Sequence, residues 1–185
     1  QGDYLTDRIR AFQGQPKVLN LFGYTGVASL PAAAAGAHVT HVDASKPSVS
    51  WARKNQELSK METAPVRWII DDAVKFVRRE VRRNSRYDAV VLDPPSFGRG
   101  PEGEIWKAEE SISEFMDLCR QTLTSNPLFI ILTMYNLEAS SIMLGNIVKD
   151  TMKQNGGNVS CGELALKEKS SGRMLPMSIY SRWEK

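Results

Sequence analysis

The sequence predicts an α/β protein, a mostly parallel seven-stranded sheet covered by helices on both faces and finished by an antiparallel C-terminal hairpin. Two observations carry this. Short apolar runs alternate with helix-length segments from about residue 18 to residue 154, and such alternation builds a parallel sheet. After Gly156-Gly157, which marks the end of the last helix, the chain changes character. Val159 to Lys167 and Met174 to Trp183 are strand-like runs joined by the polar, turn-rich Glu168 to Gly172.

A first helix is expected over Tyr4 to Phe12. Strands follow near 18–22, 38–43, 66–70, 87–93 and 127–135, and helices near 26–35, 46–59, 72–84, 108–124 and 138–154. Val18 to Leu21 is a short apolar strand that runs into a loop with two glycines, then into the Ala-rich helix around Ala32 to Ala35, where Pro31 requires a kink or a late start. Val39-Thr40-His41-Val42 and Trp68-Ile69-Ile70 are the next two strands, each ending in acid. Trp51, on the helix between them, is read as core. Asp71 is read as the N-cap of the Arg-rich helix that follows. Tyr87 to Leu92 is rich in β-branched and apolar residues and must stop at Asp93, because Pro94 has no N–H to give a ladder.

The strand ends hold the chemistry. Val90-Val91-Leu92-Asp93-Pro94-Pro95-Ser96-Phe97 makes a stiff extended shelf, since each proline drives its predecessor out of helical geometry. It carries a carboxylate and then an aromatic at the carboxyl end of a strand, where open α/β sheets bind ligands. Upstream, Asn20-Leu21-Phe22-Gly23-Tyr24-Thr25-Gly26 lacks the G-x-G-x-x-G spacing, which disfavours a pyrophosphate-bound dinucleotide. The helix start behind it still suits a carboxylate. Asp43, about twenty residues further on, can take both hydroxyls of a ribose. Asp72 can accept from an adenine amino group. Singly, each such acid is more often a helix N-cap; four such loops, in order on successive strands, point to a site.

Together these motifs resemble the class I S-adenosylmethionine-dependent methyltransferases, whose sheet is Rossmann-like with an antiparallel last strand. Within them they resemble the branch of large-subunit ribosomal-RNA methyltransferases that modify cytosine or guanine. The resemblance runs from about Val18 to the C-terminus. It implies S-adenosyl-L-methionine as cofactor, held by Asn20, Phe22, Gly23, Tyr24, Thr25, Gly26, Asp43, Ala44, Ser45, Asp72, Ala73 and Asp93. It implies Asp93, Pro94, Pro95 and Phe97 as the catalytic set, with Asp93 and the Pro94 carbonyl orienting a target amine and Phe97 stacking on a flipped base. Where amino-methylating enzymes place the aromatic directly after the second proline, Ser96 intervenes here. Relatives that attack cytosine C5 carry a thiol in the loop after the fifth strand, and here that loop reads Leu132-Thr133-Met134-Tyr135-Asn136. A base nitrogen is therefore the expected target, with Tyr135 and Asn136 near the acceptor. Cys119 and Cys161 are read as packing residues.

Composition sets the remaining bounds. The 185 residues suffice for one domain over 1–185, and no apolar run reaches the roughly 20 residues of a bilayer span. The two cysteines lie far apart without metal-ligand spacing, so neither a disulfide framework nor a metal is expected. The chain begins Gln1-Gly2-Asp3 rather than with methionine, and the resembled family usually carries an N-terminal domain, so an excised domain or a processed product is expected. The expected compartment is the cytoplasm, or an organelle if a transit segment was removed. Net charge is only +3, but five arginines crowd Arg78 to Arg86 at the sheet end away from the acids. That cluster is read as a solvated helix face rather than a phosphate contact. Gly98 to Glu104 is expected to be a mobile lid loop, with Arg99 able to hold an anionic group of the acceptor. RNA is the expected partner. Methylation of a protein side chain or small molecule, or a silent nucleotide- or RNA-binding module, are the alternatives.

Overall fold

Alternating side chains decide how the sheet is sandwiched. Along the strands Lys17–Leu21 (β1), Ala89–Leu92 (β4) and Phe129–Met134 (β7), successive residues point to opposite faces, and both faces are buried. Leu19, Leu21, Val90, Leu92, Ile130 and Leu132 join one apolar cluster, and Val18, Ala89, Val91, Phe129 and Ile131 join the other. Only a sheet with helices on both sides can satisfy that pattern.

The computed structural model describes residues 1–100, 103–136 and 138–185. Besides β1, β4 and β7 the chain forms strands His38–Asp43 (β2), Val66–Ile70 (β3), Phe97–Arg99 (β5), Ile105–Lys107 (β6), Asn158–Lys167 (β8) and Met174–Glu184 (β9). The helices are Gly2–Arg10 (α1), Ser29–Ala34 (α2), Lys46–Leu58 (α3), Ala73–Arg82 (α4), Ala108–Gln121 (α5) and Ser141–Met152 (α6). The main sheet runs β3-β2-β1-β4-β7-β9-β8. All pairs up to β7 are parallel, whereas β9 is antiparallel to both β7 and β8. Leu5 and Ile9 of α1 and Ala32 and Ala33 of α2 seal one face; Phe76 of α4, Phe115 of α5 and Leu144 of α6 seal the other. The strand order reverses between β1 and β4, so a crevice opens at the carboxyl ends of those two strands.

The expected elements are all present, with four local corrections. First, α2 starts at Ser29, three residues later than the pattern suggests, which leaves Pro31 in the first turn where its missing N–H costs nothing. Second, Trp51 is 60% exposed rather than core. Ala52 and Gln56 face inward on α3 instead, the latter accepting from Trp68 Nε1 at 3.0 Å. Third, Phe97–Arg99 and Ile105–Lys107 pair antiparallel as a small hairpin where only a loop was expected; of the expected lid segment, Pro101 and Glu102 lie outside the described residues. Fourth, Cys161 is exposed, although its Sγ lies close against Gly145 of α6, while Cys119 is fully buried as expected.

Candidate active site

The loop after β1 owes its shape to a buried polar chain behind it. Asn20 Nδ2 donates to Ser29 Oγ at 2.8 Å, and Ser29 Oγ lies 2.9 Å from His41 Nδ1. Asn20 is thus a strut tying β1, α2 and β2 together rather than a wall of the crevice. The His41 ring, fully buried and packed on Trp68 at 4.6 Å, fills the space beneath Gly23. A β-carbon at Gly23 would sit 2.4 Å from His41 Cε1, so this glycine is required by close approach and not by its backbone angles. Gly26, by contrast, adopts φ +87°, and Phe22 and Tyr24 are held at φ 56° and 47°. Burial pushes the His41 imidazole down to about 4, partly offset by the Tyr24 backbone, so the ring is neutral.

The Tyr24 N–H donates to Asp43 Oδ2 at 2.9 Å and the Ser45 N–H donates to Oδ1 at 2.8 Å. Both carboxylate oxygens are thereby fixed at the crevice wall. Ser45 also caps α3 through its bond from the Ser48 N–H. At the end of β3 the expected cap is corrected by one residue. The Asp71 N–H extends the ladder to the Asp43 carbonyl, so the helix begins later and Asp72 caps α4, its Oδ1 accepting from Lys75 N at 2.8 Å. Asp71 instead pairs with Arg79. That pairing, together with Arg78–Glu114 and Arg83–Glu80, ties three of the five clustered arginines to carboxylates of the chain itself.

The shelf is pinned from a direction the motifs did not reveal. Trp106 Nε1 donates to the Pro95 carbonyl at 2.7 Å, and the indole packs between Phe22 at 5.3 Å and Phe115 at 5.4 Å. The Ala108 N–H donates to Ser96 O at 2.9 Å. Among the described residues the Pro94 carbonyl has no protein partner, so it is the shelf acceptor left over. Asp93 opens toward the crevice, yet dense protein surrounds it on the other sides. That burial pushes its carboxyl up to about 6.

A crevice of about 630 Å³ joins these parts. Its walls include Phe22, Tyr24, Asp43, Ala44, Ser45, Asp72, Ala73, Asp93 and Pro95 from the expected set. Ser48, Gly98, Arg99, Gly100, Trp106 and Tyr135 complete them. Asn20, Gly23, Thr25, Gly26, Pro94 and Phe97 do not line it. Thr25 accepts from Asn55 with its carbonyl at 3.0 Å, Pro94 is buried, and Phe97 stands at the rim, 53% exposed. Ser48 and Trp106 escaped the sequence reading. Trp106 had no motif around it, and Ile105-Trp106-Lys107 is too short a run to show an alternation.

The volume lies within the range of small-ligand clefts. Two anchored carboxylates at adjacent strand ends, with an apolar wall of Phe22 and Trp106 beside them, suit the ribose and base of an adenosine. The strand order with its antiparallel last strand gives the chain the Rossmann-like fold of the class I S-adenosylmethionine-dependent methyltransferases. Residues 5–156 match the family described as Conserved hypothetical protein 95, and the chain belongs to that family. It is 32% identical over 125 residues to the Ribosomal RNA large subunit methyltransferase I of Escherichia coli, a match covering 64% of this chain but only 29% of that protein. It superposes with a TM-score of 0.96 on a SAM-dependent methyltransferase from Agrobacterium tumefaciens, 47% identical, covering 99% of this chain and 60% of that one. A third structure, SMU.776 in complex with SAH, shares the fold at a TM-score of 0.72 and 21% identity, over 98% of this chain and 48% of that one. The chain therefore spans less than two thirds of the length of each of these relatives.

Proposed function

We propose that this domain transfers a methyl group from S-adenosylmethionine to a nitrogen of a base in RNA, ribosomal RNA being the acceptor named for the E. coli relative. The observation that carries the reading is the shelf acid: Asp93 lines the same cavity as Asp43 and Asp72. When bound, S-adenosylmethionine supplies a methyl already activated on a sulfonium. Asp43 would hold the ribose hydroxyls, and Asp72 with the Ala73 region the adenine. The protein's own share is mainly positioning. Above pH 6 Asp93 is ionised and accepts a hydrogen bond from the target N–H, which turns the nitrogen lone pair toward the methyl. Asp93 can then take the proton the nitrogen sheds. The loop after β7 begins at Tyr135, which lines the crevice, and it contains no thiol for attack on a ring carbon.

Methyl transfer from labelled cofactor to ribosomal RNA, to a protein extract and to a small-molecule pool tests this directly. Label entering RNA, and lost in Asp93→Ala with cofactor affinity kept within about tenfold, is the expected result. Label in protein or small molecules alone would overturn the acceptor assignment, and undiminished turnover by Asp93→Ala would overturn the role of the shelf.

A further inference from the structure

The last residue pair that β9 shares with β7 is Ile179 with Met134. Beyond it β8 and β9 continue together without the sheet, through Leu166 opposite Leu175 to Lys167 opposite Met174. The five residues 174–178 of β9 thus overhang by about 17 Å at roughly 3.4 Å per residue. Cross-strand partners share a face and neighbours alternate, so Leu166 and Leu175 lie on one face and Met174 on the other. Leu166, Met174, Leu175 and Met177 are each more than half exposed. A bare two-stranded ribbon is marginal in water, and a cluster of exposed apolar side chains marks a binding surface.

The tip gives the chemistry of the partner. Lys167, Lys169 and Arg173 stand around the turn, and none forms an ion pair among the described residues. The nearby acid, Glu168, is engaged by the hydroxyls of Ser170 and Ser171, which hold its carboxyl below the usual range. The ribbon leaves the sheet at the carboxyl end of β7, the crevice side. A hollow of about 210 Å³ at its base, walled by Asn136, Glu163, Pro176 and Met177, shares Tyr135 with the crevice. Apolar faces with unpaired cations at the tip match a nucleic-acid strand, which offers bases to the first and phosphates to the second.

We infer that this ribbon is the acceptor arm: it holds RNA beside the target nucleotide, phosphates on Lys167, Lys169 and Arg173 and base surfaces against Leu166, Leu175, Met174 and Met177. The inference rests on the RNA reading above. The test is fluorescence anisotropy of the full chain with a fluorescein-labelled RNA stem-loop, from about 50 to about 200 mM KCl. It compares the unaltered protein, K167A/K169A/R173A and L166S/L175S. Calorimetric titration with S-adenosylmethionine, unchanged in both variants, shows that they fold. The triple variant should bind RNA at least about tenfold more weakly, with the slope of log affinity against log salt reduced by about 2, the loss of three phosphate contacts. L166S/L175S should weaken binding and keep the slope. Equal affinity and slope in all three proteins would overturn the arm and leave the RNA reading standing. Absence of RNA binding by the unaltered protein would overturn both. If that protein also sediments as a dimer and L166S/L175S as a monomer, the ribbon is a contact between copies.

Discussion

His41 offers a sharp test of the buried scaffold, because its burial has a consequence in pH. Its imidazole falls from 6.5 to about 4 in the fold, whereas in the unfolded chain it returns to the ordinary value. Below pH 6.5 the unfolded chain therefore takes up a proton that the native state refuses, and stability falls with falling pH. The neutral ring's contribution is complete above pH 6.5 and is lost as pH drops through 4, about 3 kcal/mol in all. Asp93 works in the opposite sense. Its carboxyl is raised from 3.8 to about 6, so stability is lost as pH rises through that window. The two trends oppose between about pH 4 and 6, and the unaltered protein conceals both. Urea unfolding should therefore compare Asp93→Asn with the Asp93→Asn/His41→Gln double variant at several pH values. Between pH 7.5 and 4.5 the single variant should lose about 2.5 kcal/mol more than the double one. A difference that does not change with pH would mean that His41 titrates normally, and the buried Asn20–Ser29–His41 chain would not be the neutral strut described here.

Other substitutions probe the remaining parts. Gly23→Ala drives a β-carbon into the His41 ring and should cost about 1–3 kcal/mol of stability, read as a lower Tm that His41→Ala partly restores. Asp43→Ala leaves the Tyr24 and Ser45 N–H groups without an acceptor and, on the proposed ribose contact, should weaken S-adenosylmethionine by about 1–3 kcal/mol in calorimetry. Trp106→Phe keeps the ring between Phe22 and Phe115 but removes the bond to Pro95. A fall in kcat with cofactor affinity unchanged is expected, and an equal loss of both would assign Trp106 to cofactor packing. The pH profile of methyl transfer should show an acidic limb centred near 6, from Asp93, that disappears in Asp93→Asn.

The sheet was legible because its signals are local and repeated: apolar runs of four to six residues, three of them closed by an acid, alternate with segments long enough for helices. The acids at the strand ends were legible for the same reason, and Asp43, Asp72 and Asp93 do line one crevice. What escaped depends on contacts between distant residues. Whether Asp71 or Asp72 caps α4 turns on one added ladder bond to Asp43. Asn20 sits inside a cofactor-like motif, yet faces Ser29 because the burial pattern of β1 points it inward. Trp51 looks apolar enough for a core, but the inward face of α3 is filled by Val49, Ala52 and Gln56. The β5–β6 hairpin is three residues a side, too short to leave a periodicity, and with it the hold of Trp106 on the shelf went unseen.

That hold also gives the molecule a built-in optical reporter. Its four tryptophans occupy four environments. Trp183 is buried with Nε1 donating to Gly156 O, Trp68 packs on His41, Trp51 faces solvent, and Trp106 alone lines the crevice. Replacing Trp51 with Phe removes the water-exposed emitter, whose light falls at the red end of the indole range. The emission that then responds to an arriving adenosine comes from Trp106, so occupancy of the crevice and the setting of the catalytic shelf can be followed in one unlabelled stopped-flow trace.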